Sequence, residues 1–145
     1  MLELKWNSDM ETGNTDIDND HRYVFCLINT IDAATKCHVH PNVLAKFAEL
    51  LILYTSVHFS REQQLQKRVG FKESEEHKNL HREFVERVQS MKVTLSEISK
   101  DDGVYKVCIL KFNELVKDWW NSHIQKEDMK MKSYFERANL STDSE

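Results

Sequence analysis

Residues 58–81 read HFSREQQLQKRVGFKESEEHKNLH and hold two histidine-led pairs on either side of a break. His58 and Glu62 are four residues apart, as are His77 and His81, and residues four apart share one face of an α-helix. Gly70 lies between the pairs, and Ser74, followed by two glutamates, has the form of a helix N-cap. The spacing therefore predicts one helix ending near residue 68 and another starting near 73. A link this short turns the chain back on itself, so the two helices run antiparallel.

The same reasoning extends outward to both termini. The chain has three glycines and one proline; Pro41, Gly70 and Gly103 separate long segments, roughly 18–37, 41–68, 73–99 and 103–135. Strands average about 5–6 residues, so uninterrupted segments of this length are helices. Pro41 suits a first helical turn, where its missing N–H costs nothing. Apolar residues recur at three- and four-residue intervals: Phe25 and Ile28; Phe47, Leu51, Tyr54 and Leu65; Phe84, Val88 and Leu95; Ile109, Phe112, Val116 and Trp119. The expected fold is all-α, an up-down-up-down four-helix bundle with an N-terminal arm. Residues 1–145 form a single domain in this reading, with the arm over 1–17, the bundle over 18–137 and a polar tail over 138–145, frayed at STDSE (141–145).

Composition narrows the function. The 145 residues carry 20 basic and 24 acidic side chains, a net charge of −4. That balance, without a basic stripe, argues against nucleic-acid binding. No apolar run reaches the roughly 18 residues of a membrane span, and the acidic start MLELKWNSDME does not resemble a signal peptide. Cys26, Cys37 and Cys108 are odd in number and widely spaced, which points to reduced thiols in the cytoplasm. Cys26 and Cys108 are read as core thiols and Cys37 as more exposed.

Polar residues interrupt the apolar stripes, and they carry the chemistry. His21, His58, His77, His81 and His123 place at least one histidine in the core row of every helix, with Glu62 beside them; His38 and His40, next to Pro41, fall in a loop. One histidine on an apolar face is ordinarily a satisfied core residue. Five, spread over four helices, are not explained that way, because burying them without partners is costly. In an up-down bundle all six residues fall at one end. Five imidazoles exceed the needs of one tetrahedral zinc ion and suit two carboxylate-bridged metal ions, with iron favoured among redox metals. Spacing leaves the last carboxylate open. At about 100° per residue, Glu127 lies roughly 40° from His123 and Asp128 roughly 140° away.

With DIDNDH (16–21), HFSRE (58–62), HKNLH (77–81), HIQKED (123–128) and the Trp6 arm in view, the chain resembles the hemerythrins, especially the bacterial hemerythrin-like proteins, over nearly its whole length. The resemblance implies that His77, His81 and His123 bind one iron and His21 and His58 the other. Glu62 and Asp128 would bridge the two ions together with an oxo or hydroxo group. It favours Asp128 where helical spacing favours Glu127, and a π-turn would reconcile the two. It also implies that Phe59, Trp119, Trp120 and Ile124 line a dry pocket for dioxygen at the open position of the iron held by His21 and His58. Trp120 stands where the family commonly has leucine.

The expected function is reversible dioxygen binding rather than catalysis, as a carrier, store or delivery protein. Other roles for the same site are an oxygen or redox sensor acting through a partner, a di-iron scavenger or oxidase, iron storage and nitric-oxide binding. Ferritin-like oxidases use Glu-x-x-His motifs, and no histidine here has a glutamate three residues before it. HKNLH has the histidine spacing of a zinc protease but carries Lys78 where that chemistry needs glutamate.

Overall fold

Asn14 starts the bundle. Its Oδ1 accepts from the Ile17 N–H at 3.0 Å and caps α1 (Thr15–Lys36), three residues ahead of the expected start. The computed structural model describes residues 5–143, with side chains as far as residue 139. Before α1 the arm makes one 3-10 turn, Ser8–Met10, and is then tied down by Asp18. The Asp18 carboxylate accepts from Thr12 N–H at 2.7 Å, Thr12 Oγ1 at 2.8 Å and Gly13 N–H at 3.2 Å. Gly13 sits at φ 91°, a left-handed conformation that glycine adopts without a steric penalty.

Helix α2 spans Pro41–Val69, with proline in its first turn and the His40 ring accepting from the Asn42 N–H at 3.2 Å. It stops at Gly70, whose φ of 75° is the left-handed C-cap conformation. Helix α3 spans Glu75–Glu97, and Ser74 Oγ caps it by accepting from the His77 N–H at 3.1 Å. Asp102 caps α4 (Gly103–Asp118). The fourth rod then continues beyond α4 as a π-helical stretch, Trp119–Glu127, a 3-10 turn, Asp128–Met131, and helix α5, Lys132–Asp143. Residues 138–143 of the expected polar tail are helical, including Ser141, Thr142 and Asp143 of the stretch expected to fray; Ser144, Glu145 and residues 1–4 of the arm lie outside the described residues.

The architecture is an all-α four-helix bundle. Helix α2 packs on α1 and α3, and α4 packs on both of them from the far side. Ile28, Ile31, Leu44, Leu51, Leu95, Phe112, Val116 and Trp120 are almost wholly buried in the main core. Each such side chain contributes about 1.5–3 kcal/mol relative to its exposed state. A second, smaller cluster of Ile17, Met131 and Phe135 closes one end, with Leu65, Val69 and Phe71 packed on it. Asp32 joins α1 to α4 by accepting from Lys117 Nζ at 3.1 Å, while Lys36 pairs with it at 2.8 Å.

Two expectations need correction. Phe47, Tyr54 and Leu65 are only half-buried, because the buried row of α2 runs through Leu44, Ala48, Leu51, Thr55, His58, Glu62 and Gln66. Cys26 is exposed rather than in the core, since α1 turns Phe25, Leu27 and Ile28 inward and leaves Cys26 on its outer face. By length and composition α2 is also long and apolar enough to cross a membrane, with a mean hydropathy of 1.3 over its best window. It nevertheless carries buried His58 and Glu62 and packs against two neighbouring helices.

Candidate metal centre

Each rod of the bundle contributes to a polar layer between the two apolar clusters. Helix α1 supplies His21, one turn after Ile17 and one turn before Phe25. Helix α2 supplies His58 and Glu62, and α3 supplies His77 and His81 in its first two turns. The fourth rod supplies His123 and Asp128, with Ile124 on the main-core side and Met131 on the other. These seven side chains are between 0% and 5% exposed. Water is therefore an insufficient partner for them, and they must satisfy one another or a bound ion. His38 and His40 stay outside this layer: His38 occupies a turn at φ 53° and His40 caps α2.

Two histidine groups face two shared carboxylates. Asp128 Oδ2 lies 3.1 Å from His21 Nε2 and 3.9 Å from His58 Nε2, while its Oδ1 lies 3.1 Å from His123 Nε2 and 3.7 Å from His77 Nε2. Glu62 divides itself in the same way. Its Oε2 is 3.1 Å from His58 Nε2 and its Oε1 is 3.4 Å from His77 Nε2. His81 Nε2 and His123 Nε2 approach to 2.7 Å, so both rings aim at one point.

In the fourth rod Asp128 and Glu127 turn to opposite sides. The Asp128 N–H donates to the His123 carbonyl, an i→i+5 bond that closes the π-helical stretch. In such a turn residues five apart come onto one face, as residues four apart do in an α-helix. Asp128 is consequently wholly buried and faces both histidine groups. Glu127 is turned toward the surface, where both its oxygens pair with Lys130 at 3.0–3.1 Å; Oε2 also lies 3.8 Å from His77 Nδ1.

Three supporting residues escape a reading of the apolar stripes. Asp20 Oδ2 lies 3.1 Å from His58 Nδ1, and Arg61 pairs with its other oxygen. Gln66 Nε2 donates to Glu62 Oε1 at 3.1 Å. Glu73, in the link before α3, places Oε1 3.5 Å from His77 Nε2. Gln66 is four residues after Glu62 and could have been found by extending that spacing. Asp20 reaches a partner 38 residues away, and Glu73 lies outside any helix, so neither has a local signature.

Electrostatics divide the rings. Burial holds His81 neutral, with its pKa pushed down to about 3. Burial also disfavours the charged form of His58, but Asp128, Asp20 and Glu62 outweigh it and raise its pKa well above the usual value. Burial likewise acts to raise the Asp128 carboxyl, but His123, His21 and His58 hold it well below the ordinary carboxylate range.

Aromatic rings pack over the histidines. Phe59 stacks on His81 with centroids 3.7 Å apart, and Trp119 stacks on His123 at 3.8 Å and on Phe84 at 3.9 Å. Trp120 instead packs on Phe25 at 5.3 Å and Trp6 at 6.1 Å, and Ile124 is buried in the same core. A groove of about 580 Å³ between α3 and α4 reaches Trp119 and His123 from outside.

The fit of a metal is testable on the donors themselves. His58 Nε2, His77 Nε2, Glu62 Oε2 and Asp128 Oδ1 are buried without a hydrogen-bond partner, a condition native interiors rarely tolerate. These atoms are metal-ligand types turned toward one another, and His77, His81, His123 and Asp128 bring ligand atoms within 4.8 Å of each other, as do His21, His58 and Asp128. A four-helix bundle with this layer is a histidine-rich metal-binding protein of the helical-bundle class. The sequence profile of the Hemerythrin HHE cation binding domain matches residues 12–135, and the chain belongs to the hemerythrin family. It is 30% identical over 128 residues to a bacteriohemerythrin of Pseudomonas paraeruginosa, covering 88% of this chain and 78% of that one. A hemerythrin-like protein of Naegleria gruberi is 29% identical, covering 89% and 91% of the two chains. A bacteriohemerythrin of Clostridium acetobutylicum is 28% identical, covering 85% and 94%.

Proposed function

We propose that the protein binds dioxygen reversibly at a pair of iron ions, as a carrier, store or delivery protein rather than an enzyme. The observation that carries this reading is the way Glu62 and Asp128 each divide their two oxygens between two histidine groups. His77, His81 and His123 would hold one ion, His21 and His58 the other, and the two carboxylates would bridge them. Two ferrous ions together supply the two electrons that dioxygen takes up on binding.

The remaining work belongs to the chain. The smaller donor set, two histidines against three, makes the His21/His58 side the place for an exchangeable ligand. Asp20 fixes the ring of His58 by accepting from its Nδ1–H, which leaves Nε2 free to bind an ion. Phe59, Trp119 and the apolar clusters on both sides of the layer exclude water and stray protons, which reversible binding requires. Five imidazoles against two bridging carboxylates differ from the carboxylate-rich shells of ferritin-like oxidases. The three free cysteines favour the reducing environment of the cytoplasm.

An absorption spectrum of the iron-loaded protein tests the reading, recorded reduced without air, then with oxygen, then after degassing. We expect a visible charge-transfer band that appears with oxygen and fades when oxygen is removed. Irreversible conversion to a diferric spectrum would replace carriage with scavenging or oxidase chemistry.

A further inference from the structure

We propose that Gln66 sets the redox balance of the centre by weakening Glu62 as a ligand on the three-histidine side. The inference rests on the paired metal centre described above and adds no ligand to it. Gln66 is the last residue in the buried row of α2 and is only 2% exposed. Here the row meets the smaller apolar cluster, and Gln66 lies against Met131. An apolar side chain would be buried there without loss of hydration, whereas an amide needs a partner.

That partner is a carboxylate assigned to the metal pair. Gln66 Nε2 donates to Glu62 Oε1 at 3.1 Å and lies 3.3 Å from the weakly accepting sulfur of Met131. Its backbone is fixed as well, since the Gln66 carbonyl accepts from the Gly70 N–H and, at 2.9 Å, from the Phe71 N–H where left-handed Gly70 ends α2. The four carboxylate oxygens of Glu62 and Asp128 are not equivalent in this respect. Glu62 Oε2 and Asp128 Oδ1 have no hydrogen-bond partner, and Asp128 Oδ2 meets only histidines. Among the described residues, Glu62 Oε1 alone takes a hydrogen bond from outside the histidine groups.

The consequence follows from the chemistry of that oxygen. A carboxylate oxygen has two lone pairs, so Oε1 can bind an ion with one while it accepts from Gln66 with the other. The amide N–H draws electron density from the oxygen and makes it a poorer donor. Oε1 is the oxygen that faces His77 Nε2 at 3.4 Å, so the effect falls on the three-histidine side. A poorer anionic donor costs a ferric ion more than a ferrous one. The hydrogen bond therefore raises the midpoint potential and favours the reduced pair. Gln66 is thus a positioning residue, which acts on the metals through Glu62.

The wild-type chain, Gln66→Met, Gln66→Leu and the control Gln64→Met would be loaded with iron and titrated potentiometrically. Circular dichroism of the metal-free forms would check that each variant folds. Met and Leu both remove the donor, differ in shape and suit the apolar cluster beside them. We expect both to lower the one-electron midpoint potential alike, through a shift of about tenfold in the ferrous–ferric equilibrium, or about 59 mV. Gln64→Met, at an exposed position on the same helix, should leave the potential unchanged. Each variant should still take up two cobalt(II) ions, which shows that the pair of sites is intact. A second measurement needs no variant. In wild-type protein loaded with diamagnetic zinc, nuclear magnetic resonance should place one Gln66 side-chain amide proton downfield of those of exposed Gln63 and Gln64. An unchanged potential in both Gln66 variants, a shift in only one of them, or no downfield proton would overturn this inference alone. A wild-type chain that takes up no pair of ions would overturn the paired centre and the inference with it.

Discussion

Asp20 sets the orientation of a ring on a different helix. Its 3.1 Å contact with His58 Nδ1 orients the ring and keeps a proton on Nδ1 when Nε2 is given over to an ion, and Arg61 holds the carboxylate in place. Asp20→Asn should weaken iron binding about 10-fold or more, measured by chelator competition, with helicity unchanged. Trp120, expected from the family resemblance to border a dioxygen pocket, can be tested at the same scale. It is wholly buried against Phe25 and Trp6, so Trp120→Leu should cost about 2–3 kcal/mol in chemical denaturation through the cavity it leaves. Stopped-flow mixing should also show faster dioxygen binding or release in that variant; identical rates would assign Trp120 to packing alone. His21, His58, Glu62, His77, His81 and His123 were legible because each interrupts an apolar stripe at helical spacing. Asp20, beside His21 in sequence, gave no such signal, because its role depends on which helix lies next to it.

Among the elements, the π-helical stretch has the clearest consequence for the site. Its i→i+5 bond from Asp128 to His123 turns Asp128 inward and Glu127 outward. Asp128→Ala should therefore remove most bound iron, and Glu127→Gln should change iron content little, as counted by metal analysis of the purified variants. The reverse result would mean that the rod follows α-helical spacing here. The caps were readable in advance: Ser74, Pro41 and Gly70 act at the helix ends where their side-chain and backbone chemistry puts them. The π-turn was not, since no residue type within Trp119–Glu127 demands it, and only the need to bring Asp128 onto the face of His123 suggested it. Asp32 supplies a pH test of the α1–α4 contact. Burial acts to raise its carboxyl, but Lys36 and Lys117 more than reverse this and lower its pKa. A lowered folded-state pKa gives stability that is present above the usual value near 3.8 and is lost as pH falls through the folded value. Asp32→Asn should cost about 1 kcal/mol at pH 7 and erase that part of the acid dependence in urea melts.

For the molecule as a whole, antiparallel packing gathers residues from 21 to 128 into one layer between two apolar clusters. That convergence follows from short links and the position of each histidine along its helix, so most of the layer is legible in the sequence. Glu73 is not, because a residue in a link has no periodicity and its inward turn depends on the packing of α2 against α3. A layer of buried, partly unpartnered donors also couples metal to folding, since ions bind the native state preferentially. Iron in excess of its dissociation constant by 100- to 1,000-fold should add roughly 3–4 kcal/mol to stability, read by calorimetry as a higher melting temperature than that of the metal-free protein. The most direct measurement is an iron count combined with electron paramagnetic resonance on the fully loaded, oxidised protein. Carboxylates shared between two histidine groups should give two irons per chain, magnetically coupled through their bridges, and no signal from isolated ferric ions. One iron per chain with a strong isolated ferric signal would contradict the paired centre.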